Sequence, residues 1–248
     1  MTARALVIAP DPPTPGAPEK QAVRSMFDRI APRYDLLNRL LSAGVDRRWR
    51  RQAVSFLSAS PSARLLDLCA GTADLLIEAL QGAPARRGIG VDLSFEMLAR
   101  GAAKLRTQRL ADRAALASGD AERLPLRSAA FDGALVAFGI RNVGARADAL
   151  KEMLRVLRPG APLVVLEFQT PPGLLGTLYR GYFEQVLPRV GAAISGDGSA
   201  YSYLPASVAR FPKPEAFADA MRGAGFTAVS YRPLTLGIAY LHRGERPA

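Results

Sequence analysis

One cysteine, Cys69, and one histidine, His242, stand in the 248 residues. A lone cysteine closes no intrachain disulfide, which suits a reducing compartment. One cysteine and one histidine are too few ligands for a zinc centre. No apolar run approaches the ~20 residues of a membrane-spanning helix. The apolar run in MTARALVIAPDPPTPGAP is about five residues, short of the roughly 7–15 of a secretory h-region, so a cytoplasmic protein is expected. Lysine is scarce too: arginine supplies nearly all of the +11 charge.

The chain is 49% hydrophobic and 22% charged, the balance of a globular protein able to bury a large core. Its length fits one α/β domain with an insertion. Positive charge is densest over residues 19–60, nine basic against four acidic, including DRRWRR at Asp46–Arg51. Such a stretch is either a solvated face or a patch for nucleic acid or anionic lipid.

Residues 1–18 read as a disordered tail. Residues 19–58 carry helical periodicity in two pieces, the first broken near Pro32, with Val23, Met26, Phe27 and Ile30 on one face. From there strands (ARLLDLC, GIGVDL, AALAS, FDGALVAF, APLVVLEF) alternate with helices (ADLLIEALQ, SFEMLARGAAKLRTQ, ADALKEMLRVL), and Ser94 caps the second of these. That order predicts a mostly parallel sheet with helices on both faces. Residues 171–210, with glycines, prolines and four tyrosines, read as an insertion. KPEAFADAMRGAGF is a helix. TAVSYRPL and GIAYLH follow with too short a turn for a crossover, so the last strand is antiparallel.

In such a sheet a ligand sits above the first strand-to-helix turn. That turn, DLCAGTAD, holds only Gly71 where a pyrophosphate loop needs three glycines, which counts against a nicotinamide dinucleotide. Asp92, 21 residues on, ends the second strand, where an acid can accept both hydroxyls of a ribose; it could equally cap the next helix. Asp120 and Ala121 follow the third strand, where an adenine would lie, or they simply form a turn.

With AFGIRNV, YSYLPASVARFP and a terminal LHRG beside the loop LLDLCAGTADL, the chain resembles the class I S-adenosylmethionine-dependent methyltransferases, and within them the ubiquinone/menaquinone biosynthesis C-methyltransferase family. The resemblance runs over about residues 22–246 and is carried by MFDRIAPRYDLLNRLLS, LLDLCAGTADL, GVDLSFEML, GDAERLPLRSAAFD, AFGIRNV, EMLRVLRPGAPLVVLEF, YFEQVLPRVG, YSYLPASVARFP and LHRG. It implies a Rossmann-like fold, S-adenosylmethionine as methyl donor, and donor contacts from Thr72, Asp92, Asp120 and Ala121, to which the turn itself adds Gly71 as a candidate. Ala137 replaces a serine found before Phe-Gly in family members, and Ala73 replaces a glycine common in the class.

The implied substrate is a polyprenyl quinol, demethylmenaquinol first, with the 2-methoxy-6-polyprenyl-1,4-benzoquinol of ubiquinone synthesis as the alternative. Arg141 and Asn142, leaving the fourth strand, are the expected catalytic pair, one stabilising the quinolate and the other orienting it. Against that stands a structural ion pair from Arg141 to Glu167. Tyr201 and Tyr203 are candidate ring contacts, or lid packing. His242 is expected on the far side of the sheet. Residues 19–60 form the expected lid on a methyltransferase domain at 61–248, and their basic helices are a candidate contact with the inner face of the membrane. A basic nucleic-acid-binding protein is the reading of another class. It would bind in a salt-sensitive way without methyl transfer, and AFGIRN offers neither the Asn-Pro-Pro-aromatic motif of an amino-methylating DNA enzyme nor a Pro-Cys nucleophile. No nucleic-acid partner is therefore expected.

Overall fold

The computed structural model describes residues 19–42, 44–171 and 199–248, with Gly173, Gly176 and Gly181. The expected disordered tail and most of the 171–210 insertion lie outside them. Helices α1 (Lys20–Ile30) and α2 (Tyr34–Leu41) are joined by a 3-10 turn at Ala31–Arg33, where Pro32 leaves no backbone donor. Helix α3 (Val45–Leu57) leads into β1 (Arg64–Leu68), and α4 (Asp74–Gln81), β2 (Arg87–Asp92), α5 (Phe95–Thr107), β3 (Ala114–Ser118), β4 (Gly133–Ala137), α6 (Arg146–Val156) and β5 (Pro162–Phe168) follow. The chain ends with α7 (Ser199–Arg210), α8 (Pro214–Gly223), β6 (Thr227–Leu234) and β7 (Ala239–Glu245).

The seven strands form one sheet in the order β3-β2-β1-β4-β5-β7-β6. Strands β1 to β5 pair in parallel, and β7 runs antiparallel to both β5 and β6. The expected mostly parallel sheet with an antiparallel last strand is what the register gives. Strands β4 and β5 are apolar on both sides because helices cover both faces. Leu66, Val136 and Val165 pack with Leu150, Met153 and Phe217 on one face, and Leu65, Leu135 and Val164 pack with Trp49 and Leu75 on the other. Strand order reverses between β1 and β4, which opens a crevice at their carboxyl ends.

His242 and Asp67 are buried in the core with no ion-pair partner among the described residues. His242 is fully buried, with Nε2 3.0 Å from the Pro214 carbonyl and its ring edge-on to Phe217. Burial lowers its pKa to about 4, so the ring is neutral and structural. Asp67 on β1 accepts the Leu76 backbone N–H at 3.1 Å, capping α4 from the strand below, while its Oδ1 has no partner among the described residues. Burial pushes the Asp67 carboxyl up to about 8. The folded chain therefore holds a proton there between about pH 4 and 8 that the unfolded chain lacks. Stability falls as pH rises through that window, by up to about 1.4 kcal/mol per pH unit. Asp67→Asn keeps the acceptor without the ionisation. Its pH 7 stability in urea should rise by roughly 2 kcal/mol or more, with a flatter profile from pH 6 to 8; an unchanged profile would place the proton elsewhere.

Candidate active site

The loops at the switch point are held in conformations that few residues adopt. Cys69, Ala73 and Phe138 have φ of 56°, 64° and 57°, each costing of order 1–3 kcal/mol unless the surroundings impose it. Gly71 has φ 53° with nothing within 4 Å of where a Cβ would stand, so the loop after β1 faces open space. Gly139 is required for another reason: a Cβ there would lie 2.2 Å from the Cys69 Cβ. The turns after β1 and β4 cross at that point, which accounts for the glycine of FGIRN. Burial raises the Cys69 thiol well above its ordinary range, so it is not a nucleophile at neutral pH.

Between these loops lies an open cavity with about 760 Å³ of empty space including its mouth. Gly71, Asp92, Asp120, Ala121 and Asn142 all line it. Val23, Phe27 and Tyr34 close it from the N-terminal helices, and Phe138 and Val143 extend its apolar wall.

Asp92 stands in the cavity with both carboxylate oxygens held by backbone N–H groups. Its Oδ2 accepts the Gly71 N–H and its Oδ1 the Ser94 N–H, both at 2.8 Å. Burial raises its pKa, partly offset by these N–H donors. Each oxygen keeps lone pairs for further donors, as a ribose diol requires. Asp120 accepts the Glu122 N–H at 2.9 Å and Lys20 Nζ at 2.8 Å.

Three sequence-predicted residues stand differently. Thr72 is 2% exposed and does not line the cavity; its hydroxyl donates to Asp35 Oδ1 at 2.6 Å and accepts from Lys104 Nζ at 3.0 Å. Arg141 is also off the cavity wall. Its side chain is 7% exposed and its Nη1 lies 2.8 Å from Glu167 Oε1. The same guanidinium donates to the Phe138 carbonyl and to Ser207 Oγ and stands over the Phe168 ring. The structural ion pair is thus present, and it staples the turn after β4 to β5. Tyr203 reaches the site through Asn142, donating to its Oδ1 at 2.9 Å, which leaves the Asn142 amide NH2 as a donor. Tyr201 lies on the same helix with its side chain outside the described set.

The N-terminal contacts were missed by sequence reasoning. Nothing in the sequence singled out Lys20, Asp28 or Asp35, and only their partners in the structure reveal them.

The cavity suits a compact nucleoside donor and not a pyrophosphate. The first turn of α4, where a diphosphate would dock, carries Asp74, with Asp67 beneath and Asp35 bonded to Lys104 beside it. An acid with lone pairs to spare at the end of β2, a second acid after β3 and the open Gly71 loop are compatible with S-adenosylmethionine.

Comparison with known proteins agrees. A solved S-adenosylmethionine-dependent methyltransferase from Thermotoga maritima superposes with a TM-score of 0.63 at 23% identity, covering 90% of this chain and 99% of that one, which establishes the shared fold. A demethylmenaquinone methyltransferase from Deinococcus radiodurans is 48% identical over 91% of this chain and 93% of its own. The ubiquinone/menaquinone biosynthesis C-methyltransferase UbiE of Syntrophotalea carbinolica is 48% identical over 91% of this chain and 94% of its own. The model of the ubiE/COQ5 methyltransferase family matches residues 16–246. Fold, cavity and sequence converge, and the chain belongs to the ubiE/COQ5 methyltransferase family.

Proposed function

We propose that the enzyme moves a methyl group from S-adenosylmethionine to a ring carbon of a polyprenyl quinol, demethylmenaquinol before the methoxy-benzoquinol. The observation that carries this is the 48% identity, over nearly the whole chain, to a protein named for demethylmenaquinone methylation. The donor supplies an electrophilic methyl on a sulfonium: the C–CH3 bond forms as the S–CH3 bond breaks, S-adenosylhomocysteine leaves and the ring carbon gives up its proton, so neither a metal nor a covalent nucleophile is needed.

The chain's part is to hold, orient and dry the reactants. A ring carbon of a quinol is nucleophilic once an adjacent phenol ionises. A phenol of pKa ~10 is only about 0.1% ionised at neutral pH, and lowering it to ~7 requires about 4 kcal/mol of electrostatic help. Asn142 is the proposed contact: its amide, fixed by Tyr203, donates to the phenolate oxygen. Phe138, Val143 and Tyr34 keep water from the reacting atoms, which strengthens that bond. Arg141 acts from behind as a positioning residue, since Glu167 neutralises it. Ala137 offers the donor no side-chain hydrogen bond. Asp92, Asp120 and Ala121 bind its nucleoside, and Gly71 admits the sulfonium end.

The exposed Arg47 and Arg48 at the start of α3 are proposed to face anionic headgroups, so that the polyprenyl chain is drawn from a bilayer. No described helix is long and apolar enough to cross a membrane.

Labelled donor offered with demethylmenaquinol and, in parallel, with the methoxy-benzoquinol tests the assignment. Product on the naphthoquinol alone is the expected result. Product on both would make the enzyme serve two pathways, and product on neither, with donor bound, would overturn the substrate class.

A further inference from the structure

Three polar side chains on the N-terminal helices each engage one loop of the donor cavity, in reverse chain order. Asp35, on α2, accepts from Thr72 Oγ1 at 2.6 Å, in the loop after β1, and from Lys104 Nζ at 3.0 Å. Asp28, on α1, accepts from Ser94 Oγ at 2.5 Å, in the loop after β2. Lys20, at the start of α1, lies 2.8 Å from Asp120 and 2.5 Å from Glu122, in the loop after β3. Apolar Val23 and Phe27 roof the cavity between these points.

The contacts bear on the donor through backbone geometry. Ser94 is held by Asp28 through its hydroxyl, while its N–H holds Asp92. Thr72 follows Gly71, whose N–H holds the other oxygen of Asp92. Asp28 and Asp35 therefore brace both loops that aim the Asp92 carboxylate, and Lys20 braces the acid at the adenine end. We propose that Lys20, Asp28 and Asp35 are positioning residues for the methyl donor, one for each of three successive donor loops, and that they clasp the N-terminal helices over the cavity and set how long the donor stays.

This rests on S-adenosylmethionine being the ligand of the cavity and is independent of which quinol is methylated. Hydrogen bonds to charged groups are each worth about 1.5–3 kcal/mol when one partner is removed, a factor of roughly 10 to 150 in an equilibrium constant.

The test is donor binding by calorimetry and donor dissociation by stopped flow, without quinol, on Lys20→Met, Asp28→Ala and Asp35→Ala. Asp28→Ala and Asp35→Ala should weaken donor binding by about tenfold or more, and Lys20→Met, at a half-exposed pair, by about twofold to fivefold, chiefly through faster dissociation. The longer Asp28→Glu and the charge-preserving Lys20→Arg should recover much of the loss, which a merely structural role would not require. In turnover the donor KM should rise while the quinol KM stays within about twofold. Bound donor should shield residues 20–33 from trypsin in the wild type and much less in the variants.

Lys20 opens α1, half exposed, so its replacement leaves the core intact and keeps the test decisive even where an aspartate variant misfolds. Unchanged donor affinity and dissociation in Lys20→Met would overturn the proposal. So would equal rises in both KM values with no recovery by Lys20→Arg. A wild-type chain that binds no donor would overturn both this proposal and the reading beneath it, whereas donor binding without quinol methylation would overturn the quinol assignment alone.

Discussion

Arg141→Ala should lose about 3–5 kcal/mol of stability, because removing one member of a buried ion pair strands the other. Glu167 is fully buried, and the Arg141 guanidinium is its charge partner. The consequence for turnover comes from what else the pair holds. Glu167 accepts the Phe168 N–H at 2.9 Å and the Arg141 N–H at 3.3 Å, and Arg141 reaches back to the Phe138 carbonyl. The pair thus fixes both ends of the turn that carries Asn142 into the cavity. Misplacing a contact by about 1 Å can cost 100-fold in rate, so turnover should drop at least that far. The double variant Arg141→Met with Glu167→Leu should recover much of the stability, since apolar replacement of a buried pair is often neutral, yet not the turnover. Urea denaturation and methyl transfer on the three proteins separate these effects. An Arg141→Ala protein with full turnover would end the positioning role.

Asp92→Ala should cost donor binding at least about 100-fold, because it removes a carboxylate acceptor and leaves the Gly71 and Ser94 N–H groups unpaired. Asp92→Asn should fare little better. Its NH2 must face one of those two N–H donors, and one oxygen cannot serve both. Burial raises the Asp92 pKa, so donor affinity should fall on acidification at a higher pH than an ordinary carboxylate would give, with full affinity above that pKa. Titration calorimetry across pH 4 to 8 measures both effects. Wild-type affinity retained in Asp92→Ala would remove this residue from the donor site.

The parts of the molecule set by local pattern were readable in the chain. The apolar runs of β4 and β5 mark strands covered on both faces, and TAVSYRPL gives β6 with the bounds found in the structure, Thr227–Leu234. Helix α7 was not legible: Gly196 and Gly198 precede it and Pro205 sits inside it, so it read as part of an irregular insertion. Tertiary burial of Ser207 and Val208 outweighs that local cost.

The site divides along the same line. Gly71, Asp92, Asp120, Ala121 and Asn142 sit at or just past strand ends, where strand order alone brings loops together. The direction in which Thr72 and Arg141 point depends on Asp35, Lys104 and Glu167, between 26 and 37 residues away. Periodicity carries no information on such pairings, and Lys20 meets Asp120 across 100 residues.

Recovery of labelled methyl on the quinol ring tests the central claim most directly. The donor is offered with demethylmenaquinol held reduced and, separately, with the oxidised quinone, and the product is fragmented to locate the label. Label on a ring carbon of the quinol, and none on the quinone that lacks an ionisable phenol, is the predicted result. Label on oxygen, equal labelling of the oxidised ring, or no transfer by a chain that binds the donor would contradict it.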